Sequence, residues 1–164
     1  PELIHSLLNK LNDGRLVVGI MDLYIYDTQN KILNYWNGYG KNNHRYGETI
    51  GLCRLISKNL LEKMNYSIWG NLEIDKGLDL AMTNRFIEFG IFPKHHVEES
   101  FAKIGGKIIS ISHAGYFLKE IEGVAIDIKG ELNITSLESY ELEIEERPEL
   151  IRTLNLIIGD SSAH

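Results

Sequence analysis

The residues best suited to chemistry stand together in the stretch NGYGKNNHRYGET, residues 37–49. Its glycines permit a close approach of the backbone to a ligand, and Lys41, His44 and Arg45 can donate charge-assisted hydrogen bonds to a phosphate or carboxylate. We therefore expect this segment, called the loop below, to bind a small anionic ligand. The candidate ligand-binding residues are Gly38, Gly40, Lys41, Asn43, His44, Arg45 and Thr49.

The loop joins a predicted strand to a predicted helix, and such a junction presents unpaired backbone N–H groups and the positive end of the helix dipole. The N–H groups of about 47–50 are expected to contribute to the site. The spacing matches neither GxxxxGK[ST] nor GxGxxG, because Lys41 is followed by Asn42 rather than by serine or threonine. The alternative interpretation is a solvated surface loop whose glycines and asparagines only make turns.

A second group of candidate residues lies in KHHVEES, residues 94–100. On a helix His95 and Glu99 would share a face and could supply two ligands to a divalent metal, with His113 as a third if the fold brings it near. The pattern is not HExxH, and no third ligand is close in the sequence. We therefore expect no metal site, and we expect this segment to be a solvated first helical turn.

A serine and a histidine stand side by side in SISHAGY, residues 110–116, without the GxSxG pattern of a hydrolase. Neighbouring side chains on a strand point to opposite faces, so Ser112 and His113 cannot pair there as nucleophile and base. His113 is expected to be a hydrogen-bonded core residue. Asp22 and Asp127 lie in apolar strands, and we expect both on an exposed face. No catalytic residue is assigned, and the cofactor is unknown.

The elements that must position these residues follow from the hydrophobic periodicity. Apolar residues at helical spacing predict helices over about 3–11, 49–64, 78–89 and 94–104, and a last helix that starts at Pro148 and ends at Gly159. Cys53 would lie on the apolar stripe of the second helix as inert packing. Strands are predicted as a hairpin over 15–36, at 68–74, and in KIISIS, GVAIDI, ELNIT and YELEIEE, with a hairpin turn at 129–130. The pattern predicts an α+β fold: a mostly antiparallel sheet of about five to seven strands, covered by helices that include amphipathic N- and C-terminal helices.

Length and composition set further limits. A chain of 164 residues with 43% hydrophobic residues is expected to form one globular domain over 1–164, and its start at Pro1 is compatible with excision from a longer chain. A single cysteine excludes an internal disulfide, and no apolar run approaches the roughly 18 residues of a membrane span. We therefore expect a cytoplasmic location and no membrane contact. The net charge of −6 lies mainly between Glu131 and Glu149, and this acidity argues against a nucleic-acid partner there.

Three functions remain open at the level of sequence. The first is a small-ligand-binding or sensory domain that recognises an anionic group through the loop. The second is an oligomerisation or protein-docking module that uses the two terminal helices, and a homo-oligomer is expected on this ground. The third is a metal-dependent hydrolase that would use His95, Glu99 and His113.

Overall fold

The computed structural model describes residues 1–70, 77–93, 112–130 and 137–160. The chain divides into two compact units, each built from two segments. The first unit comprises Pro1–Met21 and Gly38–Gly123, and the second comprises Asp22–Asn37 and Val124–His164. Both helices and strands are present, so the predicted α+β class is confirmed.

Helices and strands alternate irregularly along the described chain. In chain order the elements are α1 (Glu2–Asn12), β1 (Val17–Ile20), β2 (Leu23–Asp27), β3 (Ile32–Trp36), β4 (Leu55–Ile56), α2 (Lys58–Lys63), α3 (Leu78–Glu88), β5 (His113–Tyr116), β6 (Ile126–Lys129), β7 (Leu142–Ile144) and α4 (Pro148–Asp160). Short 3-10 turns occupy Leu118–Glu120 and Leu137–Ser139.

The first unit contains a three-stranded sheet in the order β4–β1–β5. The central strand β1 is antiparallel to β4 and parallel to β5, which places Val17 opposite both Ile56 and His113. Burial of apolar surface stabilises this unit, and its core is formed by strand β1, helices α2 and α3 and the turn after α3. The fully or almost fully buried core residues are Val17, Leu60, Met64, Phe86 and Ile91.

Helix α1 packs through its apolar stripe, since Leu3 and Leu7 are buried. Gly123 passes so close to this helix that a Cβ atom there would lie 2.5 Å from the backbone nitrogen of Leu3. The φ angle of Gly123 is +102°, which side chains rarely tolerate, so only glycine fits this contact. The chain segment that ends the first unit is thereby held against the start of α1.

The second unit contains a four-stranded sheet in the order β6–β2–β3–β7. Strands β2 and β3 form the predicted hairpin, and the Asp27 carboxylate accepts the backbone N–H groups of Gln29 at 2.9 Å and Asn30 at 3.2 Å within its turn. Helix α4 is tied to β2 by the Tyr26 hydroxyl, which donates to Asn155 Oδ1 at 2.6 Å.

The predicted mostly antiparallel sheet of five to seven strands is wrong. The described strands form two mixed sheets, of three and four strands, and each sheet contains one parallel pair. Strands β1 and β2 are neighbours in the chain, but they belong to different sheets. Their parallel partners β5 and β6 lie about a hundred residues further on, and local periodicity carries no signal for such pairings.

The predicted helix over 49–64 is wrong in its first part, because only Lys58–Lys63 is helical. The Ile50 N–H donates to the Ile20 carbonyl at 2.8 Å, and the Ser57 N–H donates to the Leu16 carbonyl at 2.8 Å, so the intervening segment follows β1 instead. Cys53 has a φ of +57° within this segment and is half-buried, where burial raises the pKa of its thiol. An unactivated thiol of this kind agrees with a packing role.

The terminal helices and α3 are confirmed close to their predicted bounds. The predicted helix over 94–104 and the strands in 71–74, KIISIS up to residue 111 and ELNIT lie outside the described residues, as does the partner strand of the turn at 129–130. In the described part of the predicted strand 68–74, residues 68 and 69 form a bend and no strand is present. The single domain over 1–164 stays a prediction.

Candidate functional site

The loop is built from successive tight turns rather than from a strand–helix junction. The Asn43 N–H donates to the Gly40 carbonyl at 2.8 Å, the Tyr46 N–H to the Asn43 carbonyl at 2.9 Å, and the Glu48 N–H to the Arg45 carbonyl at 3.0 Å. The Asn43 side chain also accepts the Arg45 N–H at 2.9 Å, which is the turn-making role that asparagine favours. The loop therefore holds its own shape through backbone and side-chain hydrogen bonds.

Arg45 lies inside the loop rather than at its surface, because its side chain is only 12% exposed. Its Nε donates to Glu48 Oε2 at 2.7 Å, and its Nη2 donates to Asp79 Oδ2 at 2.6 Å. Its Nη1 donates to the Tyr39 hydroxyl at 2.6 Å, while its guanidinium carbon lies 4.2 Å from the centre of the Tyr39 ring. All three guanidinium nitrogens are thus engaged, and they tie the loop to the first turn of α3.

A second arginine extends this network into the core. Arg54 Nη2 lies 2.6 Å from Asp79 Oδ1, and Arg54 Nε donates to Thr49 Oγ1 at 2.8 Å. Thr49 Oγ1 is in turn 2.6 Å from His113 Nε2 on strand β5. Asp79 therefore bridges the two arginines. We call Arg45, Glu48, Arg54 and Asp79 the clamp.

The clamp is balanced in charge, with two guanidinium groups facing two carboxylates. Burial lowers the pKa of Arg54, although the Asp79 carboxylate opposes this shift. Burial also acts to lower the pKa of Arg45, but Asp79, Tyr39 and Glu48 together raise it above its ordinary value. Both arginines stay charged at neutral pH, and each buried charge is compensated by a partner.

The structure separates the predicted site residues into two groups. Arg45 and Thr49 are held in the network around the clamp, and Asn43 is exposed but shapes a turn with its side chain. Lys41 and His44 are exposed, and within the described residues neither side chain has a hydrogen bond or ion pair. Gly40 is exposed and Gly38, with a φ of +72°, is half-buried. We call the exposed segment 40–44 the tip of the loop.

Two features expected of the predicted anion site differ in the structure. Helix α2 begins at Lys58, so no helix N-terminus lies at 47–50, and two of those backbone N–H groups donate within the protein, from Glu48 and from Ile50. Arg45→Ala would also remove a clamp residue, so this variant would alter stability as well as any binding. A test of ligand binding must therefore use substitutions at the tip of the loop.

The metal-ligand candidates are not brought together in the described residues. His95 and Glu99 lie outside them, and His113 is buried, with its Nε2 against Thr49 and its ring edge-on to Phe86 at 5.8 Å. This is the environment of a hydrogen-bonded core histidine. Among the residues that the structure describes, no group of three histidine, cysteine or acidic side chains is placed to hold a metal ion.

The two aspartates from the strand regions differ in their surroundings. Asp22 was expected on an exposed face, but it is buried and accepts the Tyr35 hydroxyl at 2.5 Å in the second unit. Burial, with the Asp22 contact, raises the pKa of Tyr35. Asp127 is half-exposed and pairs with Lys129 at 2.9 Å. The Tyr35 hydroxyl that donates to Asp22 comes from the neighbouring strand β3. The sequence around Asp22 carries no signal for that pairing of strands.

Sequence reasoning did not identify Glu48, Arg54 or Asp79 as partners of the loop. Asp79 had one local signal, since an acidic residue in the first turn of a helix interacts favourably with the helix dipole. That signal predicts a helix start rather than a partner for Arg45, which lies 34 residues earlier. Only the packing of α3 against the loop brings these side chains together.

Comparisons of the chain with models of known families, with curated proteins and with solved structures found no match. None of the helices in the described ranges has the length and apolar character needed to cross a bilayer.

Proposed function

We propose that the chain is a small-ligand-binding domain that recognises an anionic group, a phosphate or a carboxylate, at the tip of the loop. Lys41 and His44 supply the charged and hydrogen-bonding side chains, and Gly40 lets the ligand approach the backbone. The clamp holds the loop in the conformation that binds. The observation that carries this proposal is that Arg45 and Glu48 of the loop are held in the charge-compensated clamp, whereas the tip of the loop is exposed.

The charge distribution supports an anionic ligand. Arg45 and Arg54 are compensated by Glu48 and Asp79, so the charge of Lys41 is the uncompensated charge of the loop. The chain as a whole carries a net charge of −6, which disfavours anions over most of its surface. The positive charge of Lys41 is a place where an anion can bind in spite of this. A ligand loses less affinity to ordering when its site is already rigid, and the clamp provides that rigidity.

A thermal-shift screen tests the proposal with inorganic phosphate, pyrophosphate, ATP, a sugar phosphate and citrate. A ligand that binds the native state raises the melting temperature, by an amount that corresponds to about 2.7 kcal/mol at a hundred times its Kd. We expect at least one of these anions to raise it. Lys41→Gln should then weaken binding by about 10- to 100-fold, because a hydrogen bond to a charged group contributes about 1.5–3 kcal/mol.

Lys63→Gln is the matched control, because it removes one exposed lysine charge from the last turn of α2, which is not part of the loop. The proposal predicts wild-type affinity for this variant and wild-type stability for both. No shift with any anion, or an equal loss of affinity in the two lysine variants, would contradict recognition at the tip.

A homo-oligomerising module is the second candidate function, and exposed apolar residues on both terminal helices favour it. Ile4 and Leu8 are 42% and 43% exposed on α1, and Leu156 and Ile157 are 63% and 60% exposed on α4. Residues of this size at adjacent surface positions favour burial against a partner. A second copy of the chain would bury them.

Light scattering at micromolar concentration measures this directly, and a dimer is the expected result. Leu156→Lys should shift the population towards the monomer, whereas Arg152→Lys on the same helix keeps its charge and should leave the dimer unchanged. A wild-type monomer across the concentration range would exclude this candidate.

A further inference from the structure

A concavity in the first unit lies between residues 67–70 and one face of α3. Its volume is about 520 Å³, within the roughly 300–1,000 Å³ typical of small-molecule sites. Ser67, Trp69 and Gly70 line one side. Residues from α3 at successive helical turns line the other, and these are Ala81, Asn84, Arg85 and Glu88. We call this concavity the Trp69 cleft, and it includes no residue of the loop.

The aromatic side chain in the cleft is unusually accessible. Trp69 is 45% exposed, whereas Trp36 in the second unit is 8% exposed and packs edge-on against Tyr140. A tryptophan contributes a large apolar face and one N–H donor, so its exposure in a cleft leaves a surface on which a flat ligand can lie. The small side chain of Ala81 on the opposite side leaves room for that ligand.

The polar groups of the cleft are held in place before any ligand binds. Arg85 Nη1 donates to Glu88 Oε2 at 2.6 Å, and Arg85 Nε donates to the Ser67 carbonyl at 3.3 Å. The Arg85 guanidinium carbon also lies 4.6 Å from the centre of the Phe89 ring. A side chain with three contacts keeps its orientation, so its remaining N–H groups are presented at a fixed place.

The charge in the cleft is balanced, because the Arg85 guanidinium is paired with the Glu88 carboxylate. A paired donor and acceptor side by side suit a hydroxyl group, which both donates and accepts hydrogen bonds. The exposed side-chain amide of Asn84, which is the residue before Arg85, adds a second donor and a second acceptor. An ionic ligand gains little from a site of zero net charge, whereas a neutral ligand with several hydroxyl groups can satisfy all of these partners.

We propose that the Trp69 cleft binds a neutral, hydroxyl-rich ring of the hexose type. The less polar face of the sugar lies on the indole of Trp69, and its neighbouring hydroxyl groups bind Asn84 and the Arg85–Glu88 pair. This site is separate from the tip of the loop, so either proposal can fail without the other.

Tryptophan fluorescence tests the proposal, because Trp36→Phe leaves Trp69 as the single tryptophan of the chain. The probes are D-glucose, D-galactose, N-acetyl-D-glucosamine and cellobiose. We expect a saturable change in Trp69 emission with at least one of them. Isothermal titration calorimetry of the unmodified chain with the same sugars measures the affinity without any substitution.

Two variants test the assigned contacts. Asn84→Ala and Glu88→Gln should each weaken sugar binding by about 3- to 10-fold. Asn84→Ala removes a donor and an acceptor, and Glu88→Gln replaces a charged acceptor by a weaker neutral one. Glu62→Gln is the control, because it changes an exposed glutamate on α2 and should leave the affinity unchanged. Circular dichroism confirms that each variant is folded.

Three results would overturn the proposal. The first is the absence of any heat or fluorescence change with all four sugars at tens of millimolar. The second is binding that survives both Asn84→Ala and Glu88→Gln. The third is a response to adenosine, titrated alongside the sugars, that none of the four sugars gives, which would assign the cleft to a planar base instead of a sugar.

Discussion

Replacing Asp79 by alanine is expected to destabilise the chain by about 3 kcal/mol or more. Asp79 bridges Arg45 and Arg54, whose side chains are only 12% and 2% exposed, so its removal leaves one buried guanidinium without its bridging carboxylate and weakens the other's pairing. Breaking a buried ion pair from one side typically costs about 3–5 kcal/mol, because the remaining charge stays away from water. Urea unfolding followed by circular dichroism measures the change in the free energy of unfolding.

Glu88→Ala is the matched control on the same helix. Glu88 pairs with Arg85 at the same distance of 2.6 Å, but its side chain is 60% exposed. An exposed pair contributes about 0–1 kcal/mol, so this variant should stay close to the wild type. Equal effects of the two substitutions would show that the clamp does not stabilise the first unit.

Replacing Phe86 by alanine is expected to have an effect of similar size for a different reason. Phe86 is fully buried and packs with Val17, Leu60 and Met64 in the core of the first unit. Truncation of a buried phenylalanine typically costs about 3–5 kcal/mol, because apolar contacts are lost and a cavity remains. The free energy of unfolding from a urea titration is again the measured quantity.

Phe89→Ala provides the comparison, because Phe89 lies at the end of the same helix and is 36% exposed. Its ring lies 4.6 Å from the Arg85 guanidinium carbon, and an exposed cation–π contact is worth about 0.5–1 kcal/mol. We expect Phe86→Ala to cost several times more than Phe89→Ala. The reverse order would place the core of the first unit elsewhere.

The terminal helices and the β2–β3 hairpin could be predicted because their signals are local. Helix α1 has an apolar stripe that includes Leu3 and Leu7, and the hairpin has the turn DTQNK between two β-rich runs. The segment 49–57 shows the limit of such signals. Leu52 belongs to the apolar stripe of the predicted helix but is 39% exposed, whereas Ile50 is buried. Hydrogen bonds to β1 decide the conformation there.

From the sequence, only the residue types of the candidate site could be identified, and not their contacts. The glycines, asparagines and cations of the loop indicated a place where backbone and charge could meet a ligand, which stays a prediction. The turns at Gly40 and Asn43 fit the turn-making role of these residue types. The pairing of Arg45 with Asp79 depends on α3, and the contact of Thr49 with His113 depends on β5. These contacts join residues more than thirty positions apart, and they hold Arg45 and Thr49 inside the protein while the tip of the loop stays exposed.

Backbone amide NMR during titration with pyrophosphate, and separately with citrate, tests recognition at the tip most directly. The account predicts saturable shifts of the amide signals of residues 40–44 with at least one of these anions. Those shifts should weaken strongly in Lys41→Gln and in His44→Gln, while Lys63→Gln behaves as the wild type. Saturable binding of either anion that leaves the amide signals of 40–44 unmoved, or no binding of either, would contradict the account.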